Sequence, residues 1–97
     1  MVIERAELPI TVGREQDFEH YFTQAGQLLR AATGCRAVSL ARGIESPSQY
    51  LLLIEWDTVE AHEAFTATAE MGQVRSLIGP FFAGKPNTGH FAPLKRW

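Results

Sequence analysis

Gln49-Tyr50-Leu51-Leu52-Leu53-Ile54-Glu55-Trp56 decides the fold. The run has no glycine or proline and is rich in large apolar residues, so it reads as a strand. Tyr50, Leu52, Ile54 and Trp56 fall on one face, and Leu51, Leu53 and Glu55 on the other. A sheet with one wet face alternates apolar and polar residues. Residues 51–54 are apolar on both faces. Helices from the same chain can cover one face. A chain of 97 residues is too short to lay a second sheet over the other. A second copy of the protein is the economical cover, so the pattern predicts a homodimer.

Upstream, Glu45-Ser46-Pro47-Ser48 is a turn, and 35–44 reads as the strand before it, giving an antiparallel hairpin. One face of that strand carries Arg36, Val38, Leu40, Arg42 and Ile44. The other carries Cys35, Ala37, Ser39, Ala41 and Gly43. Further upstream, 13–33 reads as a helix. Phe18, Tyr21, Phe22, Ala25, Leu28, Leu29 and Ala32 recur at steps of three and four. Thr11 is its expected N-cap and Gly34 its left-handed stop. The chain opens with a strand over 2–8 that ends at Pro9. Downstream, 57–69 reads as a second helix, with Asp57 and Glu60 as a capping box and Val59, His62 and Phe65 near one face. A short helix follows over 70–78 and stops at Pro80. Residues 88–94 read as a last strand, with His90, Ala92 and Leu94 on one face and Phe91 on the other. The order β-α-β-β-α-α-β predicts an α+β, ferredoxin-like split βαβ with an antiparallel sheet and helices on one face.

Composition bounds the function. The length fits one domain, 1–97. Hydrophobic residues make up 45% and charged residues 21%, as in an ordinary globular chain. A net charge of −2 is not a nucleic-acid footprint. No run approaches the ~20 apolar residues of a membrane span. The opening residues lack the layout of a signal peptide, and the single cysteine, Cys35, cannot form an internal disulfide. A reducing, cytoplasmic compartment is the expectation.

Several phrases now stand in order. Gly34-Cys35-Arg36 leads into Val38-Ser39-Leu40-Ala41-Arg42-Gly43-Ile44-Glu45. Leu52-Leu53-Ile54-Glu55-Trp56 follows, then a helix with His62 and Phe65. Arg75-Ser76-Leu77-Ile78-Gly79-Pro80-Phe81-Phe82 and His90-Phe91 complete the set. Together they resemble the antibiotic biosynthesis monooxygenase (ABM) family over nearly the whole chain. The resemblance implies a dimeric α+β barrel that oxidises a small quinol, anthrone or polycyclic phenol with molecular oxygen. It also implies chemistry without metal, haem or flavin. The haem-degrading branch of such proteins is not matched. Ala6 or Glu7 stands where that branch has asparagine, Phe65 where it has tryptophan, and Val74 and Arg75 where it has histidine.

Oxygenation without a cofactor makes the substrate the reductant of oxygen. The site then needs a base, or a partner for the developing oxyanion, in a dry apolar pocket. His62 is the first candidate base, since an imidazole titrates near neutrality; its structural alternative is a partly buried histidine bonded to a carbonyl. His90 is the second, against a purely structural hydrogen bond. Trp56 can stack on a flat ring and donate its indole N–H, or simply pack the core. The resemblance gives it a part in the substrate pocket, as in actinorhodin-type monooxygenases. Tyr50, Phe65, Arg75, Phe81 and Phe82 are candidate substrate contacts, against core packing for the aromatics and a solvated helix face for Arg75. Arg36 and Arg42 are expected to pair with Glu4, Glu7 or Glu55, or to be simple surface charge. Cys35 reads as a small buried hydrophobe and His20 as solvent-facing. His20, His62, His90 and Cys35 show no metal-ligand spacing. The competing reading is a non-catalytic dimeric domain that binds a small hydrophobic ligand, as in a stress-related or accessory protein.

Overall fold

The computed structural model describes residues 1–97. The elements run β1 (Val2–Pro9), α1 (Glu15–Arg30), β2 (Cys35–Arg42), β3 (Gln49–Trp56), α2 (Val59–Thr66), α3 (Ala69–Ile78), a 3-10 turn (Gly79–Phe81) and β4 (Asn87–Phe91). The four strands form one antiparallel sheet in the order β2-β3-β1-β4. This is the α+β, ferredoxin-like arrangement that the order of elements predicts. The register places Glu4, Ala6 and Leu8 of β1 opposite Ile54, Leu52 and Tyr50 of β3. These side chains face the helices. Phe18, Phe22, Ala25 and Leu29 of α1, Phe65 of α2, and Val74 and Ile78 of α3 complete the core.

Element ends differ from the pattern where local chemistry overrides periodicity. The first helix begins at Glu15, not 13, because Gly13 has φ +92° and cannot be helical. Thr11 helps through its carbonyl, which accepts the Arg14 N–H at 2.9 Å, and not through its side chain. At the other end Gly34 does take the left-handed conformation, with φ +84°. A Cβ there would stand 2.7 Å from Ala61 Cβ, so the glycine also lets α2 approach.

The second strand stops at Arg42, and Ile44 lies exposed. Gly43 turns the chain so closely that a Cβ would meet the Ser46 carbonyl at 2.4 Å. Thr58, rather than Asp57, caps α2; its hydroxyl accepts the Ala61 N–H at 3.1 Å. Asp57 is otherwise engaged: its N–H donates to the Gly34 carbonyl, and its carboxylate holds Arg36 at 2.5 Å. The helix expected to run to 69 ends at Thr66, because Thr68 starts α3 by capping the Met71 N–H. The last strand ends at Phe91, short of Leu94, which is 91% exposed. Pro93, just beyond, has no N–H for a ladder.

The arginines are also placed differently from the expectation. Arg36 pairs with Asp57, and Arg42 with Glu19 at 3.6 Å, neither with Glu4, Glu7 or Glu55. No helix is long and apolar enough to cross a membrane.

Candidate active site

β1, β3 and β4 bring three polar side chains to the helix side of the sheet beside α2. Trp56 closes β3 and is wholly buried. Its indole Nε1–H donates to Glu4 Oε1 at 2.9 Å. Glu4 lies on β1 and is only 7% exposed, the one charged residue buried with the core. His62, one turn before Phe65 on α2, lies almost parallel to the Trp56 indole, with ring centres 5.2 Å apart and planes at 16°. His62 Nε2 stands 3.3 Å from the same Glu4 oxygen. Its Nδ1 is 2.7 Å from Nε2 of His90. His90 is directly opposite Glu4 in the β1–β4 ladder and is exposed.

A carboxylate, an imidazole and a second imidazole thus form a string from the interior to water. The carboxylate draws the His62 proton to Nε2. Nδ1 then accepts from the His90 Nε2–H, which sets both tautomers. The three groups are strung along a line and do not converge on a point. A hydrogen-bonding 2.7 Å between two imidazole nitrogens leaves no room for an ion coordinated by both. No group of three or more His, Cys, Asp or Glu side chains is arranged to hold a metal ion.

Burial is the largest influence on His62 and pushes its pKa below the ordinary value; His90 acts the same way, against Glu4 and Glu63. The ring is neutral at pH 7 and able to receive a proton. A histidine whose folded pKa is depressed holds fewer protons than it does in the unfolded chain. Its contribution is therefore intact above its unfolded pKa of about 6.5 and is lost as pH falls below it. Melting temperature is expected to drop from pH 7.5 to 5.5, and His62→Gln should flatten that slope. An unchanged slope in the variant would assign the acid sensitivity elsewhere.

Glu4 and His62 open onto a cavity of about 140 Å³ between the sheet and the α2–α3 layer. Ala6, Leu52 and Ile54 form its floor, and Phe65, Val74 and Ile78 its roof. Phe82 enters the lining because the chain after the 3-10 turn pairs with β1's end: Thr11 N–H donates to Phe81 O, and Ala83 N–H to Pro9 O, both at 2.8 Å. Arg75 of α3 also lines the cavity while remaining largely in solvent.

Of the side chains singled out in the sequence, Trp56, His62, Phe65, Arg75 and Phe82 meet at this cavity, and His90 reaches it through His62. Tyr50 and Phe81 do not line it. Tyr50 packs edge-on to Phe18 and donates its hydroxyl to Glu19; burial, then Glu19, pushes its pKa up to about 12. Phe81 stacks on Tyr21 with the Arg14 guanidinium 4.8 Å from its ring centre. Cys35 is buried at the start of β2, where burial raises its thiol pKa, and His20 is exposed on α1.

Sequence reasoning passed over Glu4 as a site residue. The signal was its parity: Val2, Glu4, Ala6 and Leu8 share one face of the first strand, and a charge on an apolar face requires a partner.

Comparisons with known proteins bear on the family and the fold. Residues 1–76 match the family model described as antibiotic biosynthesis monooxygenase. The uncharacterised protein YczJ of Bacillus subtilis (strain 168) is 38% identical over 92 residues, covering 94% of this chain and 97% of that one. A solved structure from Bordetella bronchiseptica, grouped by name with the antibiotic biosynthesis monooxygenases, superposes with a TM-score of 0.93 at 37% identity and covers 97% of each chain. A variant of SnoaB from Streptomyces nogalater, named a cofactor-independent oxygenase, superposes with a TM-score of 0.85 over 98% of this chain and 94% of that one. At 15% identity that last likeness speaks for the fold alone. With most of its length matched and a relative above one-third identity, this chain belongs to the antibiotic biosynthesis monooxygenase family.

Proposed function

We propose that the protein is a cofactor-independent monooxygenase that oxidises a small quinol or phenol with molecular oxygen. One observation carries the reading: a buried Glu4–His62 pair, linked to water through His90, opens onto an otherwise mostly apolar cavity. Family membership supports the reaction class.

The chemistry follows from what such a site does to a phenol. Glu4 Oε1 already accepts from Trp56, while Oε2 takes no hydrogen bond from the protein. A substrate hydroxyl in the cavity donates to that free oxygen. The proton it yields is shared with His62, whose imidazolium form the carboxylate stabilises, and His90 leads it to solvent. Deprotonation makes the ring electron-rich enough to pass electrons to oxygen. A ring carbon gains a hydroperoxide, and loss of water leaves a carbonyl. One oxygen atom stays on the product and the other leaves as water. All four electrons come from the substrate. Apolar walls keep bulk water from the intermediate.

Oxygen uptake by chelator-treated protein with a panel of hydroquinones, phenols, naphthols and anthrones tests this. Uptake above autoxidation with no added cofactor is the expected result. Binding of panel members with no uptake would favour the alternative, a ligand-binding domain without catalysis.

The active form in this reading is a homodimer joined through the sheet face away from the helices. Leu51 and Leu53 lie on that face half-covered, and Phe91 is 52% exposed. Arg5 Nε is buried there without a hydrogen-bond partner. A second copy would cover the leucines and bring an acceptor to Arg5. Light scattering should give twice the 10.8 kDa chain mass. Leu53→Glu should return the single-chain mass; a native protein that is monomeric at micromolar concentration would overturn the arrangement. The lone buried thiol fits a reducing, cytoplasmic setting.

A further inference from the structure

We infer that the substrate is a phenol with a single aromatic ring, of the hydroquinone or catechol class, and not a fused polycycle. The inference rests on the reading of the cavity as a phenol-oxidising site and narrows it. Its warrant is size and wall rigidity. A cavity of about 140 Å³ is close to the roughly 150 Å³ of an apolar engineered cavity that accepts benzene. It is well below the ~300–1,000 Å³ of sites that enclose drug-sized ligands.

The floor and the inner roof of the cavity are close-packed. Ala6, Leu52 and Ile54 belong to the two central strands, paired on both sides, and each is at most 6% exposed. Val74 of α3 is 3% exposed and Phe65 is 6% exposed and packed against Trp56. A second fused ring placed between the sheet and the helices would have to displace one of these close-packed groups, at a cost felt even for one methylene. The polar groups suit one ring with two oxygens. Glu4 with His62 accepts from one hydroxyl, and Arg75, the other charged residue in the lining, supplies donors for a second.

Anaerobic titration calorimetry separates ring count from turnover. The probes are hydroquinone, catechol, 1-naphthol and anthrone. Either one-ring compound is expected to bind at least about tenfold more tightly than 1-naphthol, the discrimination a tight apolar wall gives per added group. Val74→Phe, filling the cavity, should abolish binding of the one-ring compounds. Val74→Ala, enlarging it, should admit 1-naphthol. Both variants are checked for native circular dichroism, and the enlarged variant keeps the test meaningful if the filled one fails to fold. Tighter binding of 1-naphthol or anthrone to the native protein overturns the inference, as does no binding of any probe. One-ring binding without oxygen uptake leaves the size inference standing and removes the oxygenase reading. Uptake with anthrone alone does the reverse.

Discussion

Trp56→Ala is expected to cost about 3–5 kcal/mol of unfolding free energy, the range for deleting a large buried aromatic. Trp56 is 0% exposed, ends the central hairpin and stacks on His62. Its loss empties volume between β3 and α2 and removes the indole N–H from Glu4. A domain of this size has only about 5–15 kcal/mol in total, so the variant should be marginal at 37 °C. Urea unfolding followed by far-UV circular dichroism measures it. Trp56→Phe separates the two effects. It keeps most of the ring and strips the donor, so the buried Glu4 oxygen loses a partner at about 1–3 kcal/mol. A Trp56→Phe protein as stable as the native one would show that the Glu4 contact contributes little.

His62→Ala should lower oxygen uptake by about 10²–10³-fold, within the range for removing a positioned acid–base group. The fold should survive. His62 packs on α2 at the edge of the core with its side chain 16% exposed, so its removal exposes little. Glu4→Gln tests the other half of the pair. It keeps the shape and an acceptor for Trp56, yet cannot take a proton, and its loss should be of similar size. Because the two act as one unit, the double variant should be little worse than either single one. Fully multiplicative losses would mean that the residues act independently. Full activity in either single variant would remove that residue from the chemistry.

Much of the architecture was readable because it rests on period and length. Residues 49–56 form a run without glycine or proline that is apolar on both faces at 51–54, so a strand needing cover on each side, by helices on one of them, follows directly. The element ends were less legible because they depend on single backbone angles and caps. Gly13 delays α1, and Thr58 takes the cap because Asp57 is held by Arg36 and Gly34. The site was legible as chemistry but not as geometry. His62, His90 and Trp56 stand out as residue types. Their meeting depends on the β1–β4 register that sets His90 across from Glu4, a pairing no local pattern encodes. Tyr50 shares a strand face with Trp56 yet lies toward the other end of β3, where Glu19 takes its hydroxyl. Parity along a strand gives the face; distance along it needs the structure.

β1 is an inner strand of the sheet and β4, its neighbour, is an edge. Glu4 and His90, drawn from near opposite ends of the 97 residues, meet through that pairing. A contact so distant along the chain carries the largest loop-closure entropy and forms after the local hairpin. During synthesis, β2, β3 and the helices can begin to pack while β4 is still inside the ribosome. The Glu4–His62–His90 string is therefore complete only once β4 has paired with β1.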